Sequence, residues 1–146
     1  MTLFLNRLAK PWTTRMAVIL LALFALATIN VVAAKPAHAN ASGCTAAPGG
    51  YVCIYVYGSA DYVNQVRAVR GKNNLICNWQ AAMYVNNSSG RRIETRWSPV
   101  QNRCDAGRAW YDFWPRKIYP DHSRVCVSWY ESGVKQGGSP CETLHR

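Results

Sequence analysis

The chain has 146 residues, 49% of them hydrophobic and only 16% charged, with 17 Lys and Arg against 7 Asp and Glu. This is one domain's worth of chain, which excludes a multidomain enzyme, a metabolic enzyme of ordinary size and a polytopic membrane protein. Residues 1–39 hold four of the basic residues and no acidic one, so residues 40–146 hold 13 basic and 7 acidic, a net of +6.

The front segment reads as a signal peptide. Arg7, Lys10 and Arg15 form a basic start, Met16 to Ala34 is apolar, and Ala37-His38-Ala39 has the small-x-small form of an exit site. Cleavage is expected between Ala39 and Asn40. A retained anchor is the competing reading, because the apolar stretch is about long enough to span a bilayer; Asn30 interrupts it. Lipid attachment at Cys44 is disfavoured because it would leave five cysteines, an odd number. The expectation is a secreted, extracellular domain over residues 40–146 with no stable membrane association after cleavage.

In that domain, short runs of β-branched and aromatic residues alternate with turn formers. Six strands are expected: Tyr51–Tyr57, Tyr62–Val69, Leu75–Val85, Arg92–Val100, Ala109–Trp114 and Arg124–Tyr130. The breaks include Gly71-Lys72-Asn73-Asn74, and Gln80-Ala81-Ala82-Met83 is compatible with a helical turn. Strands at this spacing predict an all-β fold, a small disulfide-stabilised sandwich or Greek-key barrel. The segments Val52–Ala60 and Val125–Gly133 echo each other as V-C-[IV]-x-[VW]-Y-x-S-[AG], 73 residues apart. Each fits a strand with an apolar face and a cysteine on the other.

Six cysteines (Cys44, Cys53, Cys77, Cys104, Cys126 and Cys141) all follow the signal. An even count in a short exported chain reads as a disulfide framework with 15 possible pairings. Nearest-neighbour pairing is the expectation, each bridge closing a loop of modest length. No CxxC pair is present and His122 and His145 lack zinc-finger spacing, so no metal is expected.

The run Gly49-Gly50-Tyr51-Val52-Cys53-Ile54-Tyr55 behind an export signal resembles small secreted bacterial proteins of the βγ-crystallin-like metalloproteinase-inhibitor type. The resemblance covers residues 44–60 and the echo at 125–133. It implies two Greek-key halves, disulfides and inhibition of an extracellular protease. The calcium signature of that type is not met, since Asn73-Asn74 leads to Cys77-Asn78 and Asn86-Asn87 to Gly90-Arg91. No cofactor is expected.

The densest aromatic stretch is Arg108-Ala109-Trp110-Tyr111-Asp112-Phe113-Trp114-Pro115-Arg116. In a strand, Trp110, Asp112 and Trp114 share one face, and Ala109, Tyr111 and Phe113 the other. Both faces are buried if the tryptophans build the core; otherwise one is an aromatic binding surface. Residues 40–146 have ten Arg against three Lys, and Arg91, Arg92, Arg96, Arg103, Arg108 and Arg116 cluster in the middle third. Arginine forks take phosphate or carboxylate bidentately and stack on rings. The expected binding residues are therefore Arg91, Arg92, Arg96, Arg108, Trp110, Trp114 and Arg116, with an anionic polymer as partner. The bland alternative is a solvated basic face.

The leading functional expectation is a secreted non-catalytic binding protein, with protease inhibition through Ser132–Pro140 as one form of it. The alternative is a small basic secreted hydrolase of RNA or cell-wall glycan, using Glu94, Arg96 and His122, with Asp105 as a further carboxylate. That chemistry requires a base within hydrogen-bond reach of the proton it takes, and the spacing does not specify it. The mature protein is expected to begin at or within a few residues of Asn40. N-terminal sequencing of the culture supernatant checks this, and an intact Met1 in the membrane fraction would overturn it.

Overall fold

A computed structural model describes residues 40–145; the signal peptide expected over residues 1–39 lies outside the described residues. The described residues form nine strands and no helix: β1 (Ala41–Ala47), β2 (Gly50–Ser59), β3 (Tyr62–Asn86), β4 (Arg92–Trp97), β5 (Gln101–Phe113), β6 (Lys117–Ile118), β7 (Arg124–Glu131), β8 (Val134–Lys135) and β9 (Cys141–Thr143). The all-β, disulfide-stabilised expectation holds, in the form of a nearly closed, barrel-like sheet.

The principal departure from the expected elements is β3. Two expected strands are one continuous strand of 25 residues. Gly71-Lys72-Asn73-Asn74 does not end it, because β2 still pairs as far as Lys72 and β5 resumes at Leu75 after a register shift. The extra residues bulge outward, with Asn73 and Asn74 exposed. Gln80–Met83 is strand, since β4 and β7 hydrogen-bond this segment from both sides. β1 was not among the expected strands: its Ala, Gly and Ser residues have weak strand propensity, and pairing with β2 holds it in place. The expected strand Arg92–Val100 ends at Trp97, where Pro99 cannot donate a ladder hydrogen bond.

All of the remaining architecture is built along β3. Its first half pairs with β2 and with the end of β5; its second half pairs with β7 and β4. The two echoing segments take corresponding places. β2 and β7 each lie between one half of β3 and a disulfide-linked outer strand, β1 or β9. The disulfides are Cys44–Cys53, Cys77–Cys104 and Cys126–Cys141. Each joins residues directly opposed across two strands, so each locks a register as well as a loop.

Alternation then sends one face of each strand inward. The interior is filled by Val52, Ile54 and Val56 of β2, Val66 and Ala68 of β3, Ala109 and Phe113 of β5, and Val125, Val127 and Trp129 of β7. Trp79 stacks on Trp129 with ring centroids 4.6 Å apart. Among these apolar groups lies Arg70, whose side chain is 0% exposed. Its guanidinium donates to Glu131 Oε1 at 3.0 Å, to the carbonyls of Gly71 (2.8 Å) and Tyr51 (3.2 Å), and to the Pro48 carbonyl. Lys72 Nζ donates to the second oxygen of Glu131 at 2.8 Å.

Removing one partner of a buried charge pair strands the other without solvent or counter-charge. Glu131→Ala is therefore expected to cost about 3–5 kcal/mol of stability. Lys72→Ala, which removes only the more exposed partner of Glu131, is expected to cost about 1 kcal/mol or less. Urea unfolding of the oxidised protein distinguishes the two.

Candidate functional site

The outward face of β2, the first half of β3 and β5 carries the exposed aromatic and basic groups. Register defines its rows: Tyr51, Gly71 and Arg108; then Cys53, Val69 and Trp110; then Tyr55, Arg67 and Asp112. On β5, Ala109 and Phe113 point inward, while Trp110 is 55% exposed and Trp114, just beyond the strand, 48%. These two tryptophans thus lie at the surface, while Trp79 and Trp129 lie in the core. The Arg116 guanidinium lies 5.6 Å from the Trp114 ring centroid.

The one carboxylate in these rows is neutralised. Arg67 holds Asp112 by two hydrogen bonds, 2.7 and 2.9 Å. That pairing keeps the Asp112 carboxyl below its usual range, against the opposing effect of burial, and raises Arg67. Fork-to-carboxylate geometry of this kind is rigid as well as charged, so the face between the tryptophans is fixed in shape and its remaining charge is basic.

The seven residues expected to bind are not all brought together. Arg108, Trp110, Trp114 and Arg116 lie along β5 and its exit, and Arg96 reaches that exit through a 3.2 Å bond to the Trp114 carbonyl. Arg91 and Arg92 belong to the β3–β4 hairpin on the second half of the barrel. There Arg92 stacks 4.0 Å from the Tyr84 centroid, and Arg91 donates its backbone N–H to the Asn87 side chain. Tyr51 and Arg67 share the face with β5 and were not singled out. Alternation around Val52, Ile54 and Val56 places Tyr51 outward, but only the strand order places β2 two strands from β5.

A second polar cluster closes the barrel where β4 approaches β6. Register puts Glu94 and Arg96 opposite Val85 and Met83, on the inward face. Glu94 accepts from Arg96 (2.6 Å), Tyr119 Oη (3.0 Å) and Lys117 (3.2 Å). Burial pushes the Glu94 carboxyl up, but these donors together hold it below its ordinary value. Burial and the Glu94 charge push the Tyr119 phenol up, so it stays protonated and donates. His122 belongs to a different set: Nδ1 lies 2.9 Å from Asp121, and the ring meets His145 edge-on. Asp105 accepts from Trp79 Nε1 at 2.6 Å. Glu94, His122 and Asp105 therefore have separate partners, and no acid–base pair is assembled from them. Among the described residues, no three His, Cys, Asp or Glu groups converge as a metal site requires.

The segment 132–140 is held at its base by the Cys126–Cys141 bridge. Its tip turns at Ser132 and Gly133, both with positive φ, and Val134 and Lys135 fold back onto β7. Beyond them, Gly137 (φ 66°) packs so closely on β1 that a Cβ there would lie 2.7 Å from the Ala46 carbonyl. Residues 132–135, 137 and 138 of this segment are exposed.

No protein-family model matches the chain, and no curated protein does. Among solved structures, the chain is similar to an endonuclease/exonuclease/phosphatase from Beutenbergia cavernae DSM 12333, with a TM-score of 0.34 and 16% identity. The match covers 69% of this chain and 27% of that one; at that level it carries no argument about fold or activity.

The Glu94 cluster makes stability depend on pH. A carboxyl with a lowered folded value contributes stability above its unfolded value, near 4.5, and loses it as pH falls through the folded value. Wild-type protein is expected to lose stability on acidification below that point. In Glu94→Gln this component is missing, so the difference in urea midpoint between pH 7 and pH 3 should shrink. An unchanged difference would show that the Glu94 contacts contribute nothing.

Proposed function

We propose that this is a secreted, extracellular, non-catalytic binding protein that takes an anionic polymer on the outward face of β5. One observation carries the reading: Trp110 on a disulfide-locked sheet and Trp114 just past the end of β5 stand exposed, flanked by Arg108 and Arg116. Exposed tryptophan on a rigid strand is a large apolar area held out of the core, and adjacent arginines favour a ligand with repeating negative charge. The net charge of +6 over residues 40–146 adds long-range attraction for such a ligand. Export accounts for the three disulfides, which persist in oxidising surroundings.

Protease inhibition through Ser132–Pro140 has weaker support, because the segment folds back on β7 as a short hairpin and then packs on β1 at Gly137. Hydrolysis of RNA or glycan has less, because Glu94 and His122 keep separate partners.

Trp110→Ala and Trp114→Ala are each expected to weaken binding of a model polyanion, heparin or oligothymidylate, several-fold. Stability should change by no more than about 0.5 kcal/mol, as for other surface substitutions. If either variant instead loses several kcal/mol, as large core truncations do, the surface reading is wrong. Replacing Arg108 and Arg116 together by Ala should lower the slope of log affinity against log salt by about 1–2.

A further inference from the structure

Gly71 lies in the interior of a strand, where glycine is unfavourable, and the reason lies on the outward face. A Cβ there would sit 2.2 Å from Tyr51 Cζ and 2.6 Å from Tyr51 Cε1 and Oη. The Tyr51 ring therefore lies across β3 in the notch that glycine leaves, while the residue remains 44% exposed. The same backbone is held from behind. Buried Arg70 donates to the carbonyls of both Tyr51 and Gly71 and is itself fixed by Glu131. Arg108 stands in the same row, opposite Gly71, and Trp110 two residues further along β5. Two strand spacings of about 4.8 Å put the Tyr51 and Arg108 backbones roughly 10 Å apart.

We propose that this part of the face is a stacking platform for single-stranded nucleic acid, with Tyr51 and Trp110 receiving bases and Arg108 meeting the intervening phosphate. The inference rests on the polymer-binding reading above and narrows it to one class of ligand. Exposed flat rings on a sheet suit bases, because every base has a π face and a splayed single strand exposes it. A duplex hides those faces, and an acidic glycan has none. The guanidinium fork matches phosphate geometry. The carboxylate in the neighbouring row, Asp112, is already neutralised by Arg67 and so does not repel the strand.

The test uses the oxidised mature protein and a fluorescein-labelled oligothymidylate of twelve nucleotides, with the corresponding duplex and heparin as competitors. The single strand should bind more tightly than the duplex or heparin at equal charge. Tyr51→Leu keeps an apolar cover over Gly71 but removes the ring face, and should weaken the single strand about tenfold, the order expected for one lost stack. Tyr51→Phe keeps the ring and should bind as wild type. Gly71→Val, which displaces the ring while leaving Tyr51 in the chain, should weaken binding like Tyr51→Leu. If Tyr51→Leu binds as wild type while Trp110→Ala is weakened, the platform is wrong and the polymer reading stands. If heparin or the duplex binds as well as the single strand, the ligand class is wrong and the polymer reading again stands. If no polyanion binds, both fall.

Discussion

A buried guanidinium is the point at which the two halves of this barrel meet. Arg70 lies on the inward face of β3 just before its register shift, and it bonds at once to the β1–β2 turn, to β2, to its own strand and to β7. A straight strand of 25 residues would run about 80 Å at roughly 3.3 Å per residue, far more than a domain of this size can hold. β3 therefore has to bend. The register shifts at Gly71/Leu75 and Cys77/Trp79 mark where it does so. Asn78 takes a left-handed conformation there (φ 47°), which asparagine tolerates. Arg70 and Glu131 fill the inside of this bend with a satisfied ion pair, and the Trp79–Trp129 stack continues it as apolar packing. A charge at this position is costly unless fully partnered, and every partner belongs to an element that the bend brings together.

The outward face inherits its rigidity from this arrangement. Arg70 fixes the carbonyls of Tyr51 and Gly71 from within, and the Cys44–Cys53 and Cys77–Cys104 bridges lock the registers on either side. The rows that carry Tyr51, Arg67, Arg108 and Trp110 therefore cannot slide relative to one another. A surface of exposed rings is useful for recognition only if the rings are already in place, because ordering them on binding consumes affinity. The β4 side of the barrel is closed by different means. Glu94 and Arg96 face inward there and reach across to Lys117, Tyr119 and the Trp114 carbonyl, joining strands that do not share a backbone ladder.

This division also separates two groups of charged residues that look alike in one dimension. Arg96 is turned inward to close the barrel, Arg67 holds Asp112, and Arg92 stacks on Tyr84, whereas Arg108 stands beside the exposed rings. A count of arginines is thus a poor guide to the candidate site, because several of them have structural partners.

The sequence by itself determined the fold class, the disulfide-bonded character of residues 40–146 and the alternation that puts Trp110 on the opposite face of β5 from Ala109 and Phe113. Those properties follow from composition and from a period of two, both local. Nearest-neighbour pairing of the cysteines proved correct because each pair sits directly across two adjacent strands. Tertiary structure alone decided the rest. Gly71-Lys72-Asn73-Asn74 has the composition of a turn, yet the strand continues past it as a bulge, because β2 pairs as far as Lys72 and β5 pairs again from Leu75. Whether Trp110 faced core or solvent depended on which face of β5 met Val66 and Ala68, which no local pattern specifies. Tyr51 joined Trp110 on one face only because β2 and β5 flank the same half of β3. Strand order is set by long-range pairing, where sequence neighbours carry no signal, and the candidate site is made of residues that such pairing brings together.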